Sequence, residues 1–317
     1  MSKLYQIFLT NPEICTDTRK IKPNAIFFAL KGANFNGNEF AEKALQDGCS
    51  YAVIDEAEYK KGDRYILVED VLEELQLLAN YHRKQLQNIK IISLTGSNGK
   101  TTTKELINLV LSKKYKVFAT EGNLNNHIGV PLTLLKLNKN HDFGIIEMGA
   151  NHQKEIASLC EIAQPDYALI TNIGKAHLEG FGGLDGVRKG KGEMYDYIAK
   201  GSKNIFINMD DEVLINEATK RKLSLITYGK NTTAFISGDI LKSNSNKMQM
   251  YVNYNNKQLE IQTNFTGEYN FYNVMAAAAI GKYFNIDMYS IKEAIEEYKP
   301  NNNRSQILKT NRNTLNM

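Results

Sequence analysis

The amino-acid sequence predicts an α/β protein of two domains, the second built on a mostly parallel sheet covered by helices, with a small antiparallel sheet packed beside it. Three observations predict this. The chain has 317 residues, enough for two cores at roughly 100 to 200 residues each. The run Ile89-Lys90-Ile91-Ile92-Ser93-Leu94-Thr95 reads as a buried strand and leads directly into the glycine-rich turn Gly96-Ser97-Asn98-Gly99-Lys100-Thr101-Thr102. Short apolar strands then alternate with helical stretches, as in a parallel sheet with crossover helices.

Taken in order, residues 1–86 form a first unit with strands over 25–30 and 51–54. A helix over 71–86 closes it, with Val71, Leu72, Leu75, Leu78 and Ala79 on one stripe. Residues 87–300 form the second unit. Its glycine-rich turn can aim backbone amides at phosphate oxygens, which makes this a P-loop ATPase domain. Lys100 can reach the terminal phosphates of ATP and Thr101 can set its hydroxyl on a magnesium ion. Leu106, Ile107, Leu109, Val110 and Leu111 mark the apolar side of the helix behind the loop, whose positive end faces the phosphates. Strands follow over 143–148, 167–172, 204–208 and 223–228. Thr95, Glu147, Thr171, Asn172 and Asn208 therefore fall at carboxyl ends of strands, where ligands of open parallel sheets collect. Alternation between about 234 and 266, around Asn255-Asn256, predicts the antiparallel part. Helices near 270–284 and 290–298 follow, and Pro300-Asn301-Asn302-Asn303 breaks the pattern.

A formal net charge of +4 from 39 basic and 35 acidic residues, with no dense basic run, argues against a nucleic-acid partner and for anionic small molecules. Cys15, Cys49 and Cys160 have neither paired-ligand spacing nor an even count, so neither structural zinc nor a disulfide framework is expected. A reducing compartment fits. No charged-then-apolar leader opens the sequence, and no apolar run reaches about 18 residues, so a cytoplasmic chain without membrane insertion is expected.

The loop departs from the general P-loop pattern in one way: Leu94 stands where a glycine belongs, leaving the shorter Gly-x-x-Gly-Lys-Thr. That form, with Asn98 inside it, resembles the Mur ligase family, ATP-dependent enzymes that join amino acids or peptides to a UDP-linked muramyl precursor of the bacterial cell wall. Three further segments stand in family order. They are Gly122-Asn123-Leu124-Asn125-Asn126-His127-Ile128-Gly129, Glu147-Met148-Gly149-Ala150-Asn151-His152 and Thr171-Asn172-Ile173-Gly174-Lys175-Ala176-His177. They are similar to the branch that adds D-alanyl-D-alanine to UDP-N-acetylmuramoyl-tripeptide, and the resemblance runs from about Thr16 to Arg304.

The resemblance implies that ATP phosphorylates a carboxylate to an acyl phosphate, which the amine of D-alanyl-D-alanine then attacks. It implies two magnesium ions, held by Thr101 and Glu147 and by His177 together with Lys191 as a carbamate. Lys100, Glu147, His177 and Lys191 are then the catalytic group. The register to Met194 and Tyr195 selects Lys191 over Lys189, although composition alone reads Lys191 as a surface lysine beside Arg188. Asn270 and Asn273, three apart on one helix face, resemble nucleotide-contacting asparagines, with helix capping the rival for Asn270. Arg304 resembles an arginine that approaches the nucleotide from a hinge, with plain solvent exposure as its rival.

In the first unit, Thr16-Asp17-Thr18-Arg19 and the stretch from Leu30 to Phe40 resemble segments that bind the UDP part, through Thr18, Arg19 and Lys31. The family more often carries Asp-Ser-Arg and Asp-Gly-His there, so Thr18, Asn36 and Asn38 are departures, and Asn36-Gly37-Asn38 reads equally well as a turn. Asn125 and Asn126 resemble residues along the path of the sugar and peptide. Residues 301–317 read as a stub of the linker to a missing C-terminal domain that the resemblance implies helps bind the dipeptide, so little ligation is expected of these residues alone, and a monomer is expected. Two other readings stand beside the ligase: a non-catalytic module that holds ATP and the precursor, and a folate polyglutamate ligase sharing the ATP domain.

Overall fold

The computed structural model describes residues 2–300 apart from 202, 245, 246 and 256, and two short strands beyond them, Ile307–Lys309 and Thr314–Asn316, which pair antiparallel. Along the chain the first elements are α1 (Ser2–Thr10), β1 (Ile14–Cys15), β2 (Ile26–Phe28), α2 (Ala41–Gln46), β3 (Tyr51–Ile54), β4 (Tyr65–Leu67) and α3 (Val71–Gln85). Then come β5 (Lys90–Thr95), α4 (Lys100–Ser112), β6 (Val117–Ala119), α5 (Gly129–Leu135), β7 (Phe143–Glu147), α6 (Glu155–Ala163) and β8 (Tyr167–Ile170). The last are α7 (Leu178–Phe181), α8 (Leu184–Lys200), β9 (Asn204–Asn208), α9 (Glu212–Lys220), β10 (Ser224–Gly229), β11 (Ile236–Ser243), β12 (Met248–Tyr254), β13 (Lys257–Gln262), α10 (Tyr269–Tyr283) and α11 (Met288–Glu297). Among the described residues no helix is long and apolar enough to cross a membrane.

The chain divides into two compact units, and the first is not contiguous in sequence: it takes in residues 1–88, 121–139 and 161–164. Its sheet is parallel throughout, in the order β1-β2-β3-β4. Phe27, Ala29, Ala52 and Ile54 pack with Ala41, Ala44 and Leu45 of α2 in one buried cluster. Helix α3 starts where the Asp70 carboxylate accepts the Glu73 N–H at 2.7 Å. It also explains why later segments join this unit. Gln76 donates to the His127 carbonyl at 3.0 Å, the His82 Nε2 lies 2.8 Å from the Leu137 carbonyl, and Arg83 donates to the carbonyls of Ala163 and Gln164 at 3.2 Å each. The His82 Nδ1 meets the Tyr5 hydroxyl at 3.1 Å, so a neutral ring with its proton on Nε2 satisfies both bonds. Burial lowers its pKa.

The second unit carries one nine-stranded sheet in the order β13-β12-β11-β10-β9-β8-β5-β7-β6. From β6 to β11 every neighbouring pair is parallel, and β12 and β13 are antiparallel. The antiparallel part is thus an extension of the main sheet, not a separate sheet packed beside it. The reason lies at Tyr228 and Gly229, which pair in register with Ile236 and Ser237 and so pass the ladder on. Strand β5 is buried on both faces, as a central parallel strand must be. Leu106, Ile107, Val110 and Leu111 of α4 meet Val274, Met275 and the run Ala276 to Ala279 of α10 in the same core. Helix α10 is buried almost all round, so its apolar residues form no single stripe.

From β5 the chain passes to β6 at one edge, returns to β7 beside β5, then crosses to β8 on the other side of β5. The carboxyl end of β5 is therefore the point where the winding reverses, the place where such sheets open a ligand crevice.

Candidate functional site

The loop after β5 owes its shape to two glycines with positive φ, Gly96 at 146° and Gly99 at 78°. A Cβ on Gly96 would fall 2.0 Å from the Thr171 Oγ1, and one on Gly99 2.6 Å from the Asn273 Oδ1. Helix α4 begins at the next residue, Lys100, so its unpaired amides open toward the loop. Register aligns the neighbours: Thr95 pairs with Ile170 and Leu94 with Glu147, so Glu147 and Thr171 reach the same edge as the loop.

Side chains just past the end of β8 then fix the loop. Thr171 donates to the Asn98 carbonyl at 2.6 Å and Asn172 to the same oxygen at 3.0 Å, while the Asn172 Oδ1 accepts the Asn98 N–H at 3.1 Å. Ser97 donates to the Gly174 carbonyl at 3.0 Å and accepts the Gly174 N–H at 2.9 Å. The Lys100 ammonium folds back to the carbonyls of Gly96 (2.8 Å) and Ser97 (3.3 Å).

Glu147 is 1% exposed at the end of β7, with its N–H held by the Thr120 hydroxyl at 3.0 Å. The Thr101 hydroxyl lies 3.4 Å from its Oε1, and the buried Lys104 ammonium 3.9 Å from its Oε2. From the other side, Asn273 and Asn270 of α10 join the site. The Asn273 Oδ1 accepts from the Thr103 hydroxyl at 3.0 Å, and Asn273 donates to the Asn270 Oδ1 at 2.8 Å. Asn270 does not cap its helix through its side chain: it donates to the Thr266 carbonyl at 2.6 Å.

Lys191 lies within α8 and is 2% exposed, whereas Lys189 is exposed. Its ammonium stands 5.5 Å over the Phe181 ring. Burial first, then the charge of Lys100, lower its pKa to about 8. His177, exposed and in the left-handed region, opens the short helix α7 that carries Phe181. Gly186 and Gly190 let α7 lie against α8, since Cβ atoms there would overlap the Phe181 carbonyl and ring.

Among the described residues no group of three or more His, Cys, Asp and Glu side chains could hold a metal. The donor set around Glu147 does fit a magnesium ion that arrives with phosphates, which needs only one or two protein oxygens. Asn208 does not join this site through its recorded side-chain bond; its Oδ1 accepts the Asp210 N–H at 3.0 Å, shaping a turn. Arg304 lies outside the described residues.

In the first unit, a cleft of about 470 Å³ is lined by Thr16, Asp17, Thr18, Arg19, Phe27, Leu30, Phe35, Gly37 and Phe40. The Asp17 carboxylate accepts from the Arg19 Nε and Nη2 at 2.8 Å each, which holds its pKa down to about 2. Lys31 sits 2.9 Å from both Asp55 and Glu56, and these bonds raise its pKa. Asn36 caps a 3-10 turn by accepting the Asn38 N–H at 3.0 Å, and Asn38 donates to Asp55 at 2.8 Å. Those two asparagines are turn and anchor residues here. Asn126 likewise accepts the N–H groups of Ile128 (3.1 Å) and Gly129 (2.9 Å) at the start of α5. Phe35 and Phe40 are 57% and 41% exposed, apolar walls the sequence reading did not single out. Two aromatics around a predicted turn were the signal. Thr103 and Lys104 were also missed, and their signal was polar side chains placed where the apolar stripe of α4 is buried.

Comparison with known proteins adds to this geometry. Residues 94–281 match the Mur ligase middle domain, and residues 13–91 the Mur ligase family, catalytic domain. The chain belongs to the Mur ligase family. Within that family it is 35% identical over 302 residues to a UDP-N-acetylmuramoyl-tripeptide–D-alanyl-D-alanine ligase of Bacillus subtilis, covering 94% of this chain and 64% of the relative. The crystal structure of MurF from Acinetobacter baumannii superposes with a TM-score of 0.86 at 30% identity, covering 95% of this chain and 66% of that one. A MurF ligase of Thermotoga maritima in complex with ADP matches with a TM-score of 0.83 at 25% identity, covering 96% and 70%. This Mur ligase chain thus spans a little under two thirds of the curated relatives it matches.

Proposed function

We propose that this chain takes part in the ATP-dependent joining of D-alanyl-D-alanine to UDP-N-acetylmuramoyl-tripeptide, the reaction named for the Bacillus subtilis relative. The observation that carries the reading is the Gly96 to Thr102 loop with Thr101 set against Glu147 and Asn273 set against Gly99. Joining a carboxylate to an amine needs an activated carboxyl group. Transfer of the ATP γ-phosphoryl group supplies it as an acyl phosphate, and attack by the dipeptide amine releases phosphate. Several anions must meet, so fixed cations and positioning dominate the demand on the protein.

In this reading the loop amides and Lys100 hold the phosphates, and Asn270, Asn273 and Arg304 attend the nucleoside. Thr101 and Glu147 hold one magnesium ion; His177 and carbamylated Lys191 hold a second. Magnesium there neutralises phosphate charge. A buried lysine with a lowered pKa supplies the free amine that carbon dioxide needs, which supports Lys191 over exposed Lys189. Thr18, Arg19 and Lys31 bind the UDP part, with Asn125 and Asn126 along the sugar and peptide. The first unit, residues 121–139 included, serves the precursor, and the second unit the ATP. A cytoplasmic monomer completes the proposal.

The chain is incubated with ATP, magnesium, tripeptide precursor and D-alanyl-D-alanine, and the pentapeptide is followed by mass spectrometry. Slow product formation that requires every component, and that is lost in Lys100→Ala, is the expected result. Binding of ATP and precursor without product would establish the non-catalytic module instead, and glutamate addition to a folate would establish the third reading.

A further inference from the structure

The proposed reaction leaves one buried cation of α4 without a task. Lys104 lies one turn after Thr101 on the same helix face, its side chain 5% exposed against the 2% exposed side chain of Glu147. Thr101 and Lys104 address different oxygens of one carboxylate, at 3.4 Å and 3.9 Å. Charge in such a place interacts far more strongly than in water. Ammonium groups cost much to bury, and the pair does not need a lysine for stability alone, since apolar replacements of buried pairs are often neutral.

We propose that Lys104 is a positioning residue that makes occupation of Glu147 by a divalent cation conditional on bound nucleotide. The inference rests on reading Glu147 as a magnesium ligand. A bare cation arriving at Glu147 meets a carboxylate already neutralised by a neighbouring ammonium, and it finds no cluster of three acidic, cysteine or histidine side chains among the described residues to hold it. A cation carried in on a triphosphate brings its own anionic oxygens, which offset the Lys104 ammonium. Lys104 therefore turns a general carboxylate site into one that accepts the metal–nucleotide complex and rejects the free ion.

Manganese is the probe, titrated into the full chain by calorimetry with and without ADP. Wild-type protein should bind free manganese weakly and bind it well with ADP present. Lys104→Met should tighten nucleotide-free manganese binding by at least about tenfold, with a smaller change when ADP is present, and Lys104→Arg should behave as wild type. Adding Glu147→Gln to Lys104→Met should remove the gained binding. Lys104→Gln, which keeps a donor toward the carboxylate, replaces the methionine variant if that one does not fold. Unchanged or weaker nucleotide-free affinity in a folded Lys104→Met or Lys104→Gln protein overturns the inference while leaving ATP binding intact. Failure of the wild type to bind ATP with magnesium would instead remove the reading beneath it.

Discussion

The phosphate loop and the Thr18–Arg19 cleft are both sites that polar residues announced, yet they use those residues in opposite ways. In the loop, the polar groups hold the backbone in place: Thr171, Asn172 and Ser97 are spent on fixing the chain between Gly96 and Gly99, and Asn172 itself takes the Asn98 N–H. In the cleft, the polar groups are spent on one another. Asp17 holds Arg19, Asp55 and Glu56 hold Lys31, and Asn36 and Asn38 build the turn, leaving Phe35 and Phe40 as the open surface. A site made of backbone needs few free side chains, whereas a site walled by aromatics selects by shape and stacking.

The largest expected effect tests the loop. Lys100→Ala should weaken ATP binding by about 100-fold or more, since charge-assisted bonds contribute about 1.5 to 3 kcal/mol each. Gly96→Ala should do comparable damage by driving a side chain into Thr171 at a backbone angle that costs about 1 to 3 kcal/mol. Equal calorimetric affinities for wild type and either variant would break the loop's half of the comparison.

Next comes Lys191. Carbon-13 bicarbonate should give an NMR carbamate signal that is absent from Lys191→Ala and kept in Lys189→Ala. Because burial lowers the Lys191 pKa to about 8, the free amine and the signal should grow as pH rises through that value. A signal lost only in Lys189→Ala would transfer the role.

Smaller effects separate walls from scaffold in the cleft. Phe35→Ala or Phe40→Ala should cost about 0.5 to 1.5 kcal/mol of UDP affinity, as for one aromatic contact. Asn38→Ala should instead lower the thermal midpoint and spare UDP binding in the protein that remains folded. If the asparagine variant lost UDP binding and the phenylalanine variants did not, the contrast drawn above would reverse.

The smallest effect concerns His82. Its folded-state pKa is depressed, so the unfolded chain takes up the proton first; stability is complete above the unfolded value of about 6.5 and is lost as pH falls below it. The slope should not exceed about 1.4 kcal/mol per pH unit. Denaturant midpoints at pH 7.5 and 5.5 should differ less in His82→Asn than in wild type.

What could be read from the residues follows the same division. The strand, the glycine pair and the Lys-Thr that follows are contiguous, and each answers a local demand, so the loop and its helix were legible. Glu147 and Thr171 were legible as strand ends, because period and length place a strand's last residue. Asn208 shared that pattern but turns to Asp210, since position on an edge does not fix which way a side chain bonds. The extension of the main sheet by β11 to β13 depends on a register between Tyr228 and Ile236, and no local period records that. The membership of residues 121–139 and 161–164 in the first unit hangs on bonds from α3, which join residues 51 to 82 positions apart. Lys104 escaped notice because a lysine in a helix ordinarily faces water.

The folded-back Lys100 has one more consequence. A ligand must draw its ammonium from two carbonyls before using it, an entry toll of about 1.5 to 3 kcal/mol per bond. Inorganic phosphate, touching the loop at a single point, recovers little of that, whereas a triphosphate spreads several oxygens along the amides and recovers it many times over. The lysine thus stands where an incoming anion has to displace it from the backbone of its own loop.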